Sequence, residues 1–87
     1  MGAHAKYPDL RKITPEELER LLQMSNLTFE ERQIARQVIT WNRPYADIGE
    51  NLTDACGKPV SYSRSTVGHK MANIIAPRLR ELMEGMD

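Results

Sequence analysis

The chain has 87 residues, enough to enclose one small hydrophobic core and no second. With 40% hydrophobic and 28% charged residues, its composition is that of a folded domain and excludes disordered, collagen-like and disulfide-framework chains. Twelve Lys and Arg balance twelve Asp and Glu, no apolar run reaches bilayer length, and the first residues lack a signal-peptide core, so a soluble cytoplasmic protein with no membrane contact is expected.

Residues 1–13 read as a flexible N-terminal arm, with Tyr7-Pro8 opposing helix formation and Lys6, Arg11 and Lys12 adding positive charge. Residues 14–87 read as a single helical domain. Thr14-Pro15-Glu16-Glu17 is a capping box, with Thr14 as N-cap, proline in the first turn and Glu17 reaching back. Leu18, Leu21 and Leu22 follow at helical spacing and carry that helix to about residue 25. Thr28-Phe29-Glu30-Glu31 repeats the box. Ile34, Val38 and Trp41 then share one face, flanked by Ala35 and Ile39, which places Trp41 in the core. Asn42-Arg43-Pro44 ends this helix, because the residue before a proline is pushed out of helical geometry.

Pro44 suits the first position of a third helix, whose inner face would hold Tyr45, Ile48, Leu52, Ala55 and Cys56. Gly49 lies on that face and permits close approach of a neighbour, while Gly57 stands as the C-terminal stop. Cys56 is then a small core residue. Residues 58–62 form a turn anchored by Val60, and Ser63 caps the next helix with Ser61 as the competing cap. That helix covers residues 64–76 with Val67, Met71, Ile74 and Ile75 inward. Pro77 kinks or restarts the chain, and Leu79, Leu82 and Met83 offer a last apolar patch. The expected fold is all-α: a small bundle of four to five short helices without a convincing strand.

Residue inventory excludes much chemistry. One cysteine permits no internal disulfide, and with only His4 and His69 beside it no Cys-rich zinc site can be assembled. Cys56-Gly57-Lys58-Pro59 departs from a phosphate loop, since Leu52 replaces its first glycine and Pro59 its magnesium-binding hydroxyl. His69 has serines nearby but no carboxylate close in sequence to orient it for nucleophilic catalysis. No metal, cofactor or enzymatic reaction is expected.

What remains is two short helices joined through a glycine-containing segment, the second capped by serine, which matches a helix-turn-helix over about residues 44–76. At 100° per residue, Ser65, His69, Ala72 and Asn73 fall opposite the inward stripe, with Thr66 and Lys70 at its margin. This outer face is small and polar, as entry into a major groove requires. Charge is distributed to match. Residues 58–80 contain Lys58, Arg64, Lys70, Arg78 and Arg80 and no acid, whereas residues 14–31 contain five Glu and only Arg20 as a base. Cations around a groove-entering helix neutralise phosphates and release counterions.

Three segments carry a resemblance. Leu27-Thr28-Phe29-Glu30-Glu31-Arg32-Gln33-Ile34 is similar to the opening LTxxEREV of the LuxR-type DNA-binding domain, itself related in pattern to sigma-factor region four. Tyr45-Ala46-Asp47-Ile48-Gly49-Glu50-Asn51-Leu52 resembles its xKEIAERL helix. Ser63-Arg64-Ser65-Thr66-Val67-Gly68-His69-Lys70 resembles its SxxTVxxH recognition helix, continued by Asn73-Ile74-Ile75. The resemblance spans about residues 27–83 and implies a helix-turn-helix regulator that reads duplex DNA, commonly as a homodimer. It implies base-facing positions at Ser65, Gly68 and His69 and phosphate-facing positions at Thr66 and Lys70. Arg64 and Asn73 complete the candidate DNA-binding set. The segment between Leu52 and Ser63 is longer than the tight turn of that family, and the helix of residues 14–25 has no counterpart in it.

Two readings therefore stand. One is a small sequence-specific DNA-binding protein, a transcriptional regulator of prokaryotic, phage or plasmid type, acting as a homodimer on paired half-sites. The other is a protein-binding adaptor or inhibitor on the same scaffold, with partner surfaces at residues 14–25 or 78–86; zero net charge and the acidic N-terminal half suit it.

Overall fold

Side-chain capping sets three of the helix starts in the computed structural model, which describes residues 7–85. Helix α1 is Pro8–Arg11, α2 Pro15–Met24 and α3 Phe29–Ala35, the last running on through a π-helical turn at Arg36–Thr40. Helix α4, Tyr45–Glu50, leads into strands β1, Leu52–Thr53, and β2, Pro59–Val60. Helix α5, Arg64–Lys70, continues through a second π-helical turn, Met71–Ile75, into α6, Ala76–Gly85. The fold is mostly helical, with one two-stranded antiparallel ladder pairing Leu52 with Val60 and Thr53 with Pro59.

Both capping boxes form. The Glu17 amide donates to Thr14 Oγ1 and the Thr14 amide to Glu17 Oε1, each at 3.2 Å. Thr28 and Glu31 exchange the same two bonds at 3.1 Å, and Ser63 Oγ accepts from the Thr66 amide at 3.2 Å. Caps of this kind each stabilise a helix start by about 1 kcal/mol. Helix α2 and the π-helical turn after α3 stop just before Asn26 (φ 60°) and Asn42 (φ 49°), in the left-handed conformation that asparagine tolerates better than most residues.

The core joins every helix. Leu10, Leu18, Leu22, Ile34, Ile48, Leu52, Val67, Met71, Ile75 and Leu79 are all fully buried. Helix α2 packs on α6, α3 on the Met71–Ile75 turn, α4 on α5, and α1 on α6. Among the described residues no helix is long and apolar enough to cross a membrane.

Several local expectations change. The arm expected over residues 1–13 is ordered structure from residue 7: α1 forms, Leu10 is in the core, and Tyr7 and Ile13 pack against it. Residues 1–6 lie outside the described residues. Trp41 is 55% exposed instead of buried. The π-helical turn before it fits extra residues into one turn, so position 41 falls behind the face set by Ile34 and Val38. Pro44 is the N-cap of α4 instead of its first residue, and α4 ends at Glu50, well short of Gly57. Asp54 Oδ1 accepts from the Cys56 and Lys58 amides at 2.8 and 3.0 Å, and Gly57 adopts φ 85°, which closes a hairpin and leaves Cys56 exposed. Finally, Pro77 does not interrupt the helix. The π-helical turn ahead of it has already abandoned the regular bonding that a proline would break, and the same change of phase leaves Ile74 36% exposed.

Candidate nucleic-acid interface

The α4–α5 unit is held by a missing side chain. The Gly49 carbonyl accepts from the Tyr62 amide at 2.9 Å, and a Cβ on Gly49 would overlap the Tyr62 carbonyl oxygen. The backbone entering α5 therefore rests directly on α4. The hairpin is tied to α3 by Gln33, which accepts from the Thr53 amide at 3.2 Å and donates to the Thr53 carbonyl. Val67 of α5 and Met71 of the turn that follows pin this segment into the core.

The outer side of this helical rod presents Arg64, Ser65, His69, Ala72 and Asn73, all exposed. Asn73 is bonded to His69: its Nδ2 lies 3.1 Å from both the His69 carbonyl oxygen and His69 Nδ1. Thr66 is half-buried, its hydroxyl 3.0 Å from Ser63 Oγ at the helix start. Arg64 and Lys58 enter no ion pair among the described residues.

The other candidates point elsewhere. Gly68 forms part of the seam with α4, where a Cβ would stand 3.2 Å from the Tyr45 ring. Burial, with the Tyr7 phenol as a further cause, pushes the Tyr45 hydroxyl up to about 12, so it remains neutral. Lys70 bonds Glu31 at 3.2 Å and lies 5.7 Å from the Tyr62 ring centroid, a position internal to the fold. Burial pulls the Glu31 carboxyl upward, but the Thr28 amide and the Lys70 ammonium together outweigh it and hold the group below its ordinary value. Arg78 donates to the Ser25 carbonyl at 2.9 Å and pairs with Glu81, and Arg80 pairs with Asp9 across α1 and α6. Of the five cations at residues 58–80, Lys70, Arg78 and Arg80 are thus paired with the chain's own carboxylates, the last two at the surface.

One exposed feature escaped the sequence reading. The Arg43 guanidinium sits 5.1 Å from the Trp41 ring centroid immediately before α4, and bonds Gln37 Oε1 at 3.2 Å. Its signal is the Trp-x-Arg-Pro run, legible only once Trp41 is known to face outward. The proposed partner surfaces are half occupied: α2 gives Leu18, Leu21 and Leu22 to the core, and α6 gives Leu79, while Met24 stays exposed and Met86 lies outside the described residues. Compared with protein-family profiles, curated proteins and solved structures, the chain matches none.

Proposed function

We propose that this chain is a sequence-specific duplex-DNA-binding protein of the transcription-regulator type, in which α4, the hairpin and α5 act as a helix-turn-helix and the outer side of α5 enters the major groove. The reading is carried by the outer side of α5 and the π-helical turn that continues it, where Arg64, Ser65, His69, Ala72 and Asn73 are exposed and no acidic residue occurs from 55 to 80. Small polar side chains allow the backbone to sit deep in a groove, where base edges are distinguishable. Arg64 and Lys58, with Arg43 at the approach to α4, would contact phosphates.

This cation set is small, and it predicts modest affinity. Each neutralised phosphate adds about 0.9 to the slope of log affinity against log salt, so one chain with these three contacts would show a slope of about 2.7. A helix of this length covers few base pairs. A second copy on a paired half-site supplies the rest, which is the expectation of a homodimer.

The test is fluorescence anisotropy of labelled duplex DNA across a salt series, with a random-sequence pool and then a selected site. Salt-sensitive binding weakened in Arg64→Ala supports the proposal; absence of binding to any selected duplex at low salt refutes it. A protein-binding adaptor or inhibitor draws on a different observation: Lys70, Arg78 and Arg80 are held by the chain's own carboxylates. Salt-insensitive capture of a protein by a chain inert toward DNA would favour that reading.

A further inference from the structure

We infer that the Trp41–Arg43 turn is a preformed clamp for the DNA backbone, in which the Arg43 guanidinium takes a phosphate and the exposed Trp41 indole lies against the sugar beside it. This rests on the DNA-binding proposal and deepens it by naming a contact outside α5. The turn is fixed at several points. The Trp41 amide bonds the Val38 carbonyl, and the Asn42 amide bonds the same carbonyl at 3.2 Å. Asn42 then takes the left-handed conformation, at φ 49°. The Arg43 amide bonds the Gln37 carbonyl at 3.0 Å, and Arg43 Nη1 donates to Gln37 Oε1 at 3.2 Å. Gln37 is only 6% exposed, so a buried amide holds the guanidinium 5.1 Å from the Trp41 ring centroid.

What this turn offers is an apolar plane beside an uncompensated cation. Trp41 is 55% exposed, and Arg43 enters no ion pair among the described residues. Gln37 takes one guanidinium hydrogen and leaves the Nε–Nη2 edge, whose two parallel N–H groups match a phosphate. An arginine can stack on an aromatic face and pair a phosphate at once, and an indole beside the pair excludes water and strengthens it. Position agrees. The Tyr45 ring lies against Gly68 in the middle of α5, where a Cβ would stand 3.2 Å from it. Arg43 is two residues before Tyr45, at most about 7 Å of chain. The clamp therefore flanks α5 near Gly68, while Arg64 stands at the start of that helix. A major groove about 12 Å wide has a phosphate strand on each side, so a cation offset laterally from a groove-seated helix meets a strand and not the bases. Asp47 and Glu50, exposed on α4, repel phosphates and confine the contact to the turn before that helix.

Trp41 is the only tryptophan of the chain, so its emission reports this contact alone. The experiment is acrylamide quenching of Trp41 in the free protein and with a random-sequence duplex at low salt, a selected duplex and a single strand, beside binding curves for Trp41→Ala and Arg43→Ala. Both duplexes should shield the indole. Trp41→Ala should weaken duplex binding on the order of fivefold, and Arg43→Ala should lower the salt slope by about one unit. Each loss should be the same for every sequence, because backbone contacts carry no base readout. The quenching arm uses wild-type protein and holds even if a variant fails to fold. A duplex that binds yet leaves Trp41 as open to acrylamide as in the free protein, or full affinity in Trp41→Ala, overturns this inference and leaves DNA binding standing. Shielding by the single strand alone also overturns it, by making Trp41 a base-stacking platform. A wild-type protein that binds no duplex overturns the DNA-binding proposal and this inference with it.

Discussion

Replacing Lys70 by methionine separates a groove contact from a structural one. Lys70 and Glu31 are joined at 3.2 Å with side-chain exposures of 24% and 9%, and their positions are 39 residues apart. Methionine keeps most of the aliphatic packing but leaves a shielded carboxylate without its cation. Removing one partner of a fully buried pair costs about 3–5 kcal/mol, whereas an exposed pair contributes about 0.2–1 kcal/mol. This pair lies between those limits, and Glu31 retains the Thr28 amide. A loss of about 2 kcal/mol follows, or about 10 °C in Tm for a domain of this size. The pair also sets an acid limb. Glu31 is held below its ordinary 4.5 in the folded state. Its stabilisation is therefore complete above that value and lost as pH falls through the lower, folded one. In Lys70→Met, burial is opposed by the Thr28 amide and hydroxyl only, so the acid limb should flatten, and adding Glu31→Gln should recover part of the lost stability. Urea denaturation of both variants between pH 3 and 7 measures all three effects, with buffer range chosen about the ordinary carboxylate pKa. Wild-type stability in Lys70→Met, with DNA affinity reduced, would refute this placement and return Lys70 to the phosphate contacts.

Gly49→Ala should cost about 3 kcal/mol or more, because its Cβ would strike backbone at Tyr62; near-native urea stability would contradict that contact. Arg64→Ala should lower the salt slope of DNA binding by about one unit, whereas Arg80→Ala, which loses the Asp9 pair and the contact with the Tyr7 ring, should leave it unchanged. Trp41→Ala should cost under about 1 kcal/mol, against about 3–5 kcal/mol for a buried tryptophan, and Trp41 fluorescence in the wild type should be readily quenched by acrylamide. Thr28→Ala should lower stability by about 1 kcal/mol in thermal melts through loss of the cap.

What the sequence made legible was local. Thr14 with Glu17, Thr28 with Glu31, and Ser63 ahead of Thr66 declare helix starts within one turn, and each forms as read. Gly49 was also legible, since an inward glycine invites a close neighbour. Gly57 was ambiguous, because a left-handed glycine ends a helix or closes a hairpin equally well. The Asp54 side chain decides the matter by gathering the Cys56 and Lys58 amides. Both π-helical turns were invisible to a 3.6-residue period, and they account for the outward positions of Trp41 and Ile74. The partners of Lys70 and Arg80 were invisible for another reason: Glu31 and Asp9 are distant in sequence, so their pairings follow from the fold. Of the candidate site, Ser65, His69 and Asn73 emerge on the outer side as the periodicity predicts, while Gly68 faces the Tyr45 ring.

The contact of α1 with α6, sealed by Asp9 and Arg80 across 71 residues, bears on how the protein is made. Synthesis delivers α1 first, yet its seat in the core does not exist until Leu79 and its neighbours have left the ribosome. Long-range closure of this kind delays folding until late, because the entropy of joining distant segments is lost before their contacts form. A nascent chain that already contains the whole α4–α5 unit therefore still lacks the support that fixes its outer side. Completion of α6, not emergence of the α4–α5 unit, would mark the moment at which the fold closes, and chains halted before Ala76 should be cleared by proteases.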